Sequence, residues 1–402
     1  MLCRVCDGSD LEMVIDLGNQ PWCNGFLKHD QIGSEPFYPL RVFLCQNCKT
    51  AQLDFTVKKE IMFADHTYLS GVTNSLSAHF KNIAVDSIAR FKSRCKSASP
   101  RVLDIGSNDG TQLLHFIDLG AECIGVESSK TTAEIAQSRG VNTLNKFFNY
   151  SAALDINGKF DIINAAGVFF HLEELHSACE GVKHLLAPDG TFIVQFLYMR
   201  SIIENNAFDQ IYHEHLLYYT VTTLNTLLGL HGLEIYDAYL SEIHGGSIIA
   251  SICHKGVFDV TSNVYQFFNE EMVGYFNDIK TYKIFADRIE GIKASELNYL
   301  HNAKNNGRLV YGLGAPVKGN TLLNYFGITT NLIPFLTERN QLRNGLYSPG
   351  SHIKIIMEDE LLVQPDIYYV LAWNFKKEIL HRNKALIESG VEFHFPVNPK
   401  QK

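Results

Sequence analysis

The chain has no stretch of about 18 consecutive apolar residues, so no membrane span is expected. It has no lysine/arginine run, and 35 basic against 43 acidic residues leave a net charge of −8. That balance argues against a nucleic-acid partner, because such proteins usually carry a basic face. An anionic small molecule is not excluded, since a local pocket can be basic on an acidic protein. No low-complexity segment and no defensible repeat is visible. Met1-Leu2-Cys3-Arg4 lacks the apolar core of a secretory signal, and nine cysteines is an odd number that suits a reducing compartment. A cytoplasmic protein is therefore expected.

What is present points to a globular chain: 46% hydrophobic and 19% charged over 402 residues, enough for two or three domains. Two Cys-x-x-Cys pairs, Cys3/Cys6 and Cys45/Cys48, open it. Four thiolates in two such knuckles suit a closed, tetrahedral, structural zinc site, with no open position for catalysis. His29 is an alternative ligand. Residues 1–65 are loop-rich with too little core to stand alone, which is where a metal helps.

Alternating strands and helices follow. Pro100–Gly106 reads as a buried strand, Thr111–Leu119 as a helix, Ala121–Glu127 as a strand, Thr132–Arg139 as a helix and Phe160–Asn164 as a strand. Leu185–Gly190 reads as a turn feeding a strand at Thr191–Phe196. The pattern implies a parallel, doubly wound α/β sheet. Residues 257–305 read as helical, and a second α/β unit is expected at about 300–402, beginning with the strand and glycine turn Arg308–Gly314.

Three segments carry chemistry. The loop Asp104-Ile-Gly106-Ser-Asn108-Asp-Gly110 departs from the dinucleotide fingerprint, but a buried strand precedes it and a helix follows. Glu127 ends the next strand, where an acid accepts the ribose hydroxyls of a bound adenosyl group. Tyr212-His-Glu214-His215 places two imidazoles, a carboxylate and a phenol within four residues, which suits proton transfer near neutral pH better than zinc hydrolysis. His171 follows the fourth strand of the sheet, where strand ends line a ligand crevice. His244-Gly245-Gly-Ser247 is a compact loop whose N–H groups suit a phosphate or sugar.

Taken in order, these segments resemble the sugar C-methyltransferase family, which methylates nucleotide-linked 4-keto-6-deoxyhexoses, with the C-3 methyltransferases as the nearest type. The resemblance runs through the cysteine pairs, Gly18-Asn-Gln-Pro-Trp-Cys-Asn24, Tyr68-Leu-Ser70, Asp104–Gly110, His171, Tyr212–His215 and His244–Ser247. It continues through Tyr311-Gly-Leu-Gly-Ala-Pro-Val-Lys318-Gly-Asn320, Tyr347-Ser-Pro-Gly-Ser-His352 and Ala372-Trp-Asn374. It implies a zinc-binding domain at 1–65, a Rossmann-like S-adenosylmethionine domain at 66–255, and a helical segment with a Rossmann-like nucleotide-sugar domain at 256–402. It also implies structural zinc on Cys3, Cys6, Cys45 and Cys48, and cofactor contacts at Asp104, Gly106, Asn108, Gly110 and Glu127. His215 is implied as the base, with Tyr68, His171, Tyr212 and Glu214 around the reacting sugar. Substrate contacts fall at His244, Gly245, Lys318, Asn320 and His352. A dTDP- or GDP-linked sugar is the expected partner, and a monomer or small homo-oligomer the expected state. Two departures stand out: Gly167-Val-Phe-Phe-His171 lacks the family's asparagine, and Ile248-Ile249-Ala250 replace the arginine common after the glycine loop. An O- or N-methyltransferase on a nucleotide sugar, or a non-catalytic zinc-ribbon scaffold, are the alternatives.

Overall fold

The computed structural model describes residues 1–64, 69–72, 74–95 and 99–398. Three sheets organise them. The first joins Leu11–Pro21, Phe37–Cys45 and Ala51–Leu53 as antiparallel neighbours. Leu40, Val42 and Leu44 alternate inward along the middle strand, the period-two signature of a half-buried strand. Its fourth strand, Leu217–Tyr218, comes from far downstream and pairs with Ala51–Leu53.

The second sheet has seven strands. Thr143–Asn145, Glu122–Glu127, Arg101–Ile105, Phe160–Ala166 and Leu186–Leu197 lie parallel in that order, followed by Ser247–His254 and Leu233–Ser241. Val102 and Leu103 are both fully buried, as expected for a strand covered on two faces by helices. Two sequence expectations are corrected here. The last two strands run antiparallel, so the sheet is mixed. The connection between them is too short for the crossover that a parallel pair needs and closes as a hairpin instead. Leu185–Gly190 is also not a free turn: the strand begins at Leu186, and register jumps from Phe160 opposite Leu186 to Ile162 opposite Thr191. Pro188, Asp189 and Gly190 form that bulge, a position where proline costs no ladder bond.

Beyond the second sheet come the helices Ser262–Val273 and Ile279–Asn305 and a five-stranded, all-parallel sheet. Its order is Lys354–Met357, Phe335–Glu338, Val310–Leu313, Ile367–Val370, Glu392–His394. The whole is therefore α/β, with two Rossmann-like sheets. Among the described residues no helix is long and apolar enough to cross a membrane.

Packing places the N-terminal sheet between the other two units. Cys3, Val5 and Cys45 share one core with Leu216, Leu217 and Tyr219 of the central unit. Leu40, Val42 and Leu44 share another with Phe285, Leu323 and Trp373 of the C-terminal unit.

Candidate active site and cysteine clip

The two cysteine loops repeat one backbone geometry. Asp7 N donates to Cys3 O and Lys49 N to Cys45 O, each at 3.0 Å. Cys3 N reaches Gly8 O at 2.9 Å and Cys45 N reaches Thr50 O at 3.0 Å. Asp7 and Lys49, each just after the second cysteine, both take positive φ, 55° and 62°. The four sulfurs lie within 4.8 Å of one another, with Cys3–Cys48 at 3.5 Å and Cys6–Cys45 at 3.6 Å. A tetrahedron of sulfurs about 2.3 Å from zinc has edges near 3.8 Å, so the set fits that ion. The hydrogen bond between them pushes the Cys3 thiol up and draws Cys48 down to about 5. His29 is not in the cluster; its ring packs edge-on against Tyr347.

The glycine loop joins the strand Arg101–Ile105 to the helix Thr111–Asp118. Gly106, Asn108 and Gly110 have φ of 70°, 50° and 77°, which turns the chain sharply, with Gly106 N and Ser107 N donating to Val126 O and Gly110 N to Ser107 O. The Glu127 carboxylate sits across the loop, accepting from Asn108 N at 2.9 Å and Ser129 N at 2.7 Å. Burial holds its pKa up, against those bonds. Burial and the Glu127 charge also push Asp104 well above the usual carboxylate range. From above, Ser70 N donates to Asn108 Oδ1 at 2.9 Å and Gly71 N to Asp109 Oδ2 at 3.1 Å. A Cβ at Gly106 would stand 2.5 Å from Val168 Cγ2. Gly106→Ala is thus expected to lose about 2–3 kcal/mol in urea unfolding, from overpacking and left-handed strain together.

Val168 also links this loop to the histidines. Its carbonyl accepts His171 N at 2.8 Å, so the turn against Gly106 carries His171. His171 Nδ1 donates to Glu214 O at 2.5 Å, and His215 Nδ1 donates to Gln210 O at 2.7 Å. A carbonyl only accepts, so both rings carry a proton on Nδ1, and in uncharged His215 the lone pair is left on Nε2. The two rings lie 5.1 Å apart, and the Tyr212 ring is 3.8 Å from His215. Burial, then the charges of His171 and His244, hold His215 well below the usual histidine range. Glu214 Oε1 accepts Trp22 Nε1 at 2.8 Å, and burial pushes its carboxyl up to about 7. His213 does not join them. It packs against Tyr38 of the first sheet, because Tyr212–His215 is a turn, closed by His215 N donating to Tyr212 O at 2.9 Å, that points its side chains in different directions.

The third wall comes from the C-terminal unit. Lys318 Nζ lies 3.5 Å from the Trp373 ring centroid and 3.7 Å from Asp209 Oδ2, which accepts Trp373 Nε1 at 2.6 Å. Burial draws Lys318 down to about 8 and raises Asp209. Desolvation therefore outweighs the attraction between them. The hairpin turn His244–Gly246 closes over this pair: Gln210 Nε2 donates to His244 O at 2.9 Å, and a Cβ at Gly245 would meet Trp373 at 2.5 Å. His244, with φ of 55°, is held down to about 4 by burial and by Lys318.

Glu214, His171, Tyr212, His215, His244, Gly245 and Lys318 are thus drawn together. Asn320 and His352 are committed elsewhere. Asn320 Nδ2 donates to Cys23 O at 2.7 Å, pinning the Trp22–Asn24 turn, and His352 Nε2 meets Glu35 at 2.6 Å. Tyr68 lies outside the described residues. Sequence reasoning did not single out Trp22, Asp209, Gln210 or Trp373. Asp209 and Gln210 stand just ahead of Tyr212, and Trp22 and Trp373 lie in two of the segments noted above, which was the available signal.

Family models match across the chain: a zinc binding domain at residues 3–63, a methyltransferase domain at 78–238 and a C-methyltransferase C-terminal domain at 242–398. C-methyltransferase NovU of Streptomyces niveus is 31% identical over 401 residues, 98% of this chain and 95% of that protein. The uncharacterized methyltransferase YcgJ of Bacillus subtilis is 32% identical over 102 residues, 24% of this chain and 40% of that one. Among solved structures, magnesium protoporphyrin IX methyltransferase of Synechocystis with bound S-adenosylmethionine is 15% identical, with a TM-score of 0.34 over 44% of this chain and 79% of that one. The CcbJ methyltransferase of Streptomyces caelestis is 16% identical, with a TM-score of 0.35 over 44% and 90%. Similar end to end to a C-methyltransferase, and matched in turn by the zinc-binding, methyltransferase and C-methyltransferase domain families, this chain belongs to the S-adenosylmethionine-dependent C-methyltransferases.

Proposed function

We propose that this C-methyltransferase acts at C-3 of a dTDP- or GDP-linked 4-keto-6-deoxyhexose, with His215 as the base. The observation that carries the reading is the fixed tautomer of a buried, uncharged imidazole whose ring lies 5.1 Å from that of His171, which is itself carried by the Val168 turn against Gly106. The 4-keto group acidifies the neighbouring C–H. His215 Nε2 takes that proton, and the electrons pass to the ketone oxygen as an enolate. Tyr212 would donate to that oxygen, with Tyr68 as a further candidate donor. His171 and Glu214 hold sugar hydroxyls and the angle of the ring. Bound S-adenosylmethionine supplies an electrophilic methyl whose neutral sulfide leaves without an acid. Glu127 would accept the ribose hydroxyls, with Asp104, Gly106, Asn108 and Gly110 shaping the cradle. Lys318 and the His244–Gly245 turn take the phosphates of the nucleotide, while Asn320 and His352 act indirectly by holding Cys23 and Glu35.

Because His215 stays uncharged well below its ordinary range, its protonation sets no limit near neutral pH. Glu214, raised to about 7, titrates there, ahead of Lys318 at about 8. A plot of kcat/KM against pH is expected to inflect near 7 in the parent and to lose that inflection in Glu214→Gln; an inflection that survives contradicts the assignment. The substrate reading is tested by proton NMR of the keto sugar in deuterated water with S-adenosylhomocysteine present. C-3 hydrogen exchange catalysed by the parent and absent in His215→Ala supports it, and no exchange with any nucleotide-linked keto sugar refutes it.

A further inference from the structure

We propose that the cysteine clip aligns the two histidines and that Gln52 is the positioning residue linking them, an inference that rests on His215 as base. Thr50, two residues after Cys48, leads directly into the strand Ala51–Leu53. That strand carries the Phe37–Cys45 strand on one side and Leu217–Tyr218 on the other, with Gln52 opposite Leu217. Leu53 N donates to Leu216 O, the residue after His215, at 2.9 Å. Leu216 N in turn donates to Phe170 O, the residue before His171, at 2.9 Å. One row of backbone hydrogen bonds thus runs from the clipped sheet through both histidine segments.

The Gln52 side chain reaches the other way. It is fully buried, its Oε1 accepts Arg4 N between Cys3 and Cys6 at 2.8 Å, and its Nε2 donates to Leu2 O at 3.4 Å. Gln52 therefore holds the first cysteine loop by its side chain, while its neighbour Leu53 holds the His215 segment by its backbone N–H. Arg4 reinforces the joint through Thr56 Oγ1 at 2.6 Å. Removing the Gln52 amide deprives the Arg4 N–H and the Leu2 carbonyl of that partner. The clip then shifts against the strand while its four sulfurs still converge.

The test uses the full chain. In Gln52→Ala, bound zinc is expected to stay at the parent's content and S-adenosylmethionine affinity to change less than about twofold. Amide exchange across residues 212–219 is expected to accelerate about tenfold, and kcat to fall about tenfold with a smaller change in KM. Removing zinc from the parent with a chelator is expected to speed exchange in the same segment while Arg101–Ile105 stays protected. Unchanged exchange at 212–219 in both cases overturns the proposal, as does loss of zinc from Gln52→Ala, which would make Gln52 part of the clip's own fold. The exchange measurements need no sugar, so they decide the linkage even where the substrate reading fails.

Discussion

His215→Ala is expected to lower kcat by about 10³-fold or more while leaving S-adenosylmethionine affinity within about twofold, since a general base contributes some 10²–10⁴ and the site loses its proton acceptor as well as its shape. Two features make the expectation sharp. The Nδ1 bond to Gln210 O fixes which nitrogen carries the lone pair, so no water or neighbour inherits the position by a ring flip. The Glu127 side, where the cofactor is proposed to lie, shares no hydrogen bond with His215, so its binding is not expected to follow. Isothermal titration with S-adenosylmethionine and a single-turnover rate check both halves. Full activity in His215→Ala contradicts the assignment of the base.

Asp209→Ala is expected to destabilise the fold by about 3–5 kcal/mol, because it leaves the Lys318 ammonium buried without its counter-charge. It also strips Trp373 Nε1 of its acceptor. Burial already holds Lys318 down to about 8 despite Asp209, so the pair is costly as a pair and costlier when halved. The double variant Asp209→Ala, Lys318→Met is therefore expected to recover about half of the loss in urea unfolding. No recovery would show that Asp209 matters through Trp373 alone. Retaining such a pair, where an apolar pair would pack more cheaply, fits the proposed role of Lys318 toward an anionic substrate group.

The parts of this molecule that were legible in the sequence are those governed by local rules. Val102-Leu103 reads as a strand because it is apolar on both faces, and the glycine turn, the Glu127 strand end and both cysteine loops follow from spacing over a few residues. What escaped depends on long-range pairing. Leu217–Tyr218 shows no pattern that assigns it to a sheet begun at Leu11, because two residues carry no period. The hairpin of Leu233–Ser241 with Ser247–His254 was hidden because strand direction is set by the short connection, not by composition. The Tyr-His-Glu-His run was read as one cluster, yet the backbone sends His213 to Tyr38 and His215 to His171. The third wall, Asp209 with Lys318 and Trp373, draws on segments far apart in the chain and becomes a unit only when the C-terminal sheet docks.

The central claim is methylation of carbon next to a ketone, and one measurement meets it directly. The protein is incubated with S-adenosylmethionine and a nucleotide-linked 4-keto-6-deoxyhexose deuterated at C-3, and the product is weighed by mass spectrometry. The expected product gains one methyl group and loses the C-3 deuterium. A product that gains the methyl and keeps the deuterium would contradict transfer to C-3.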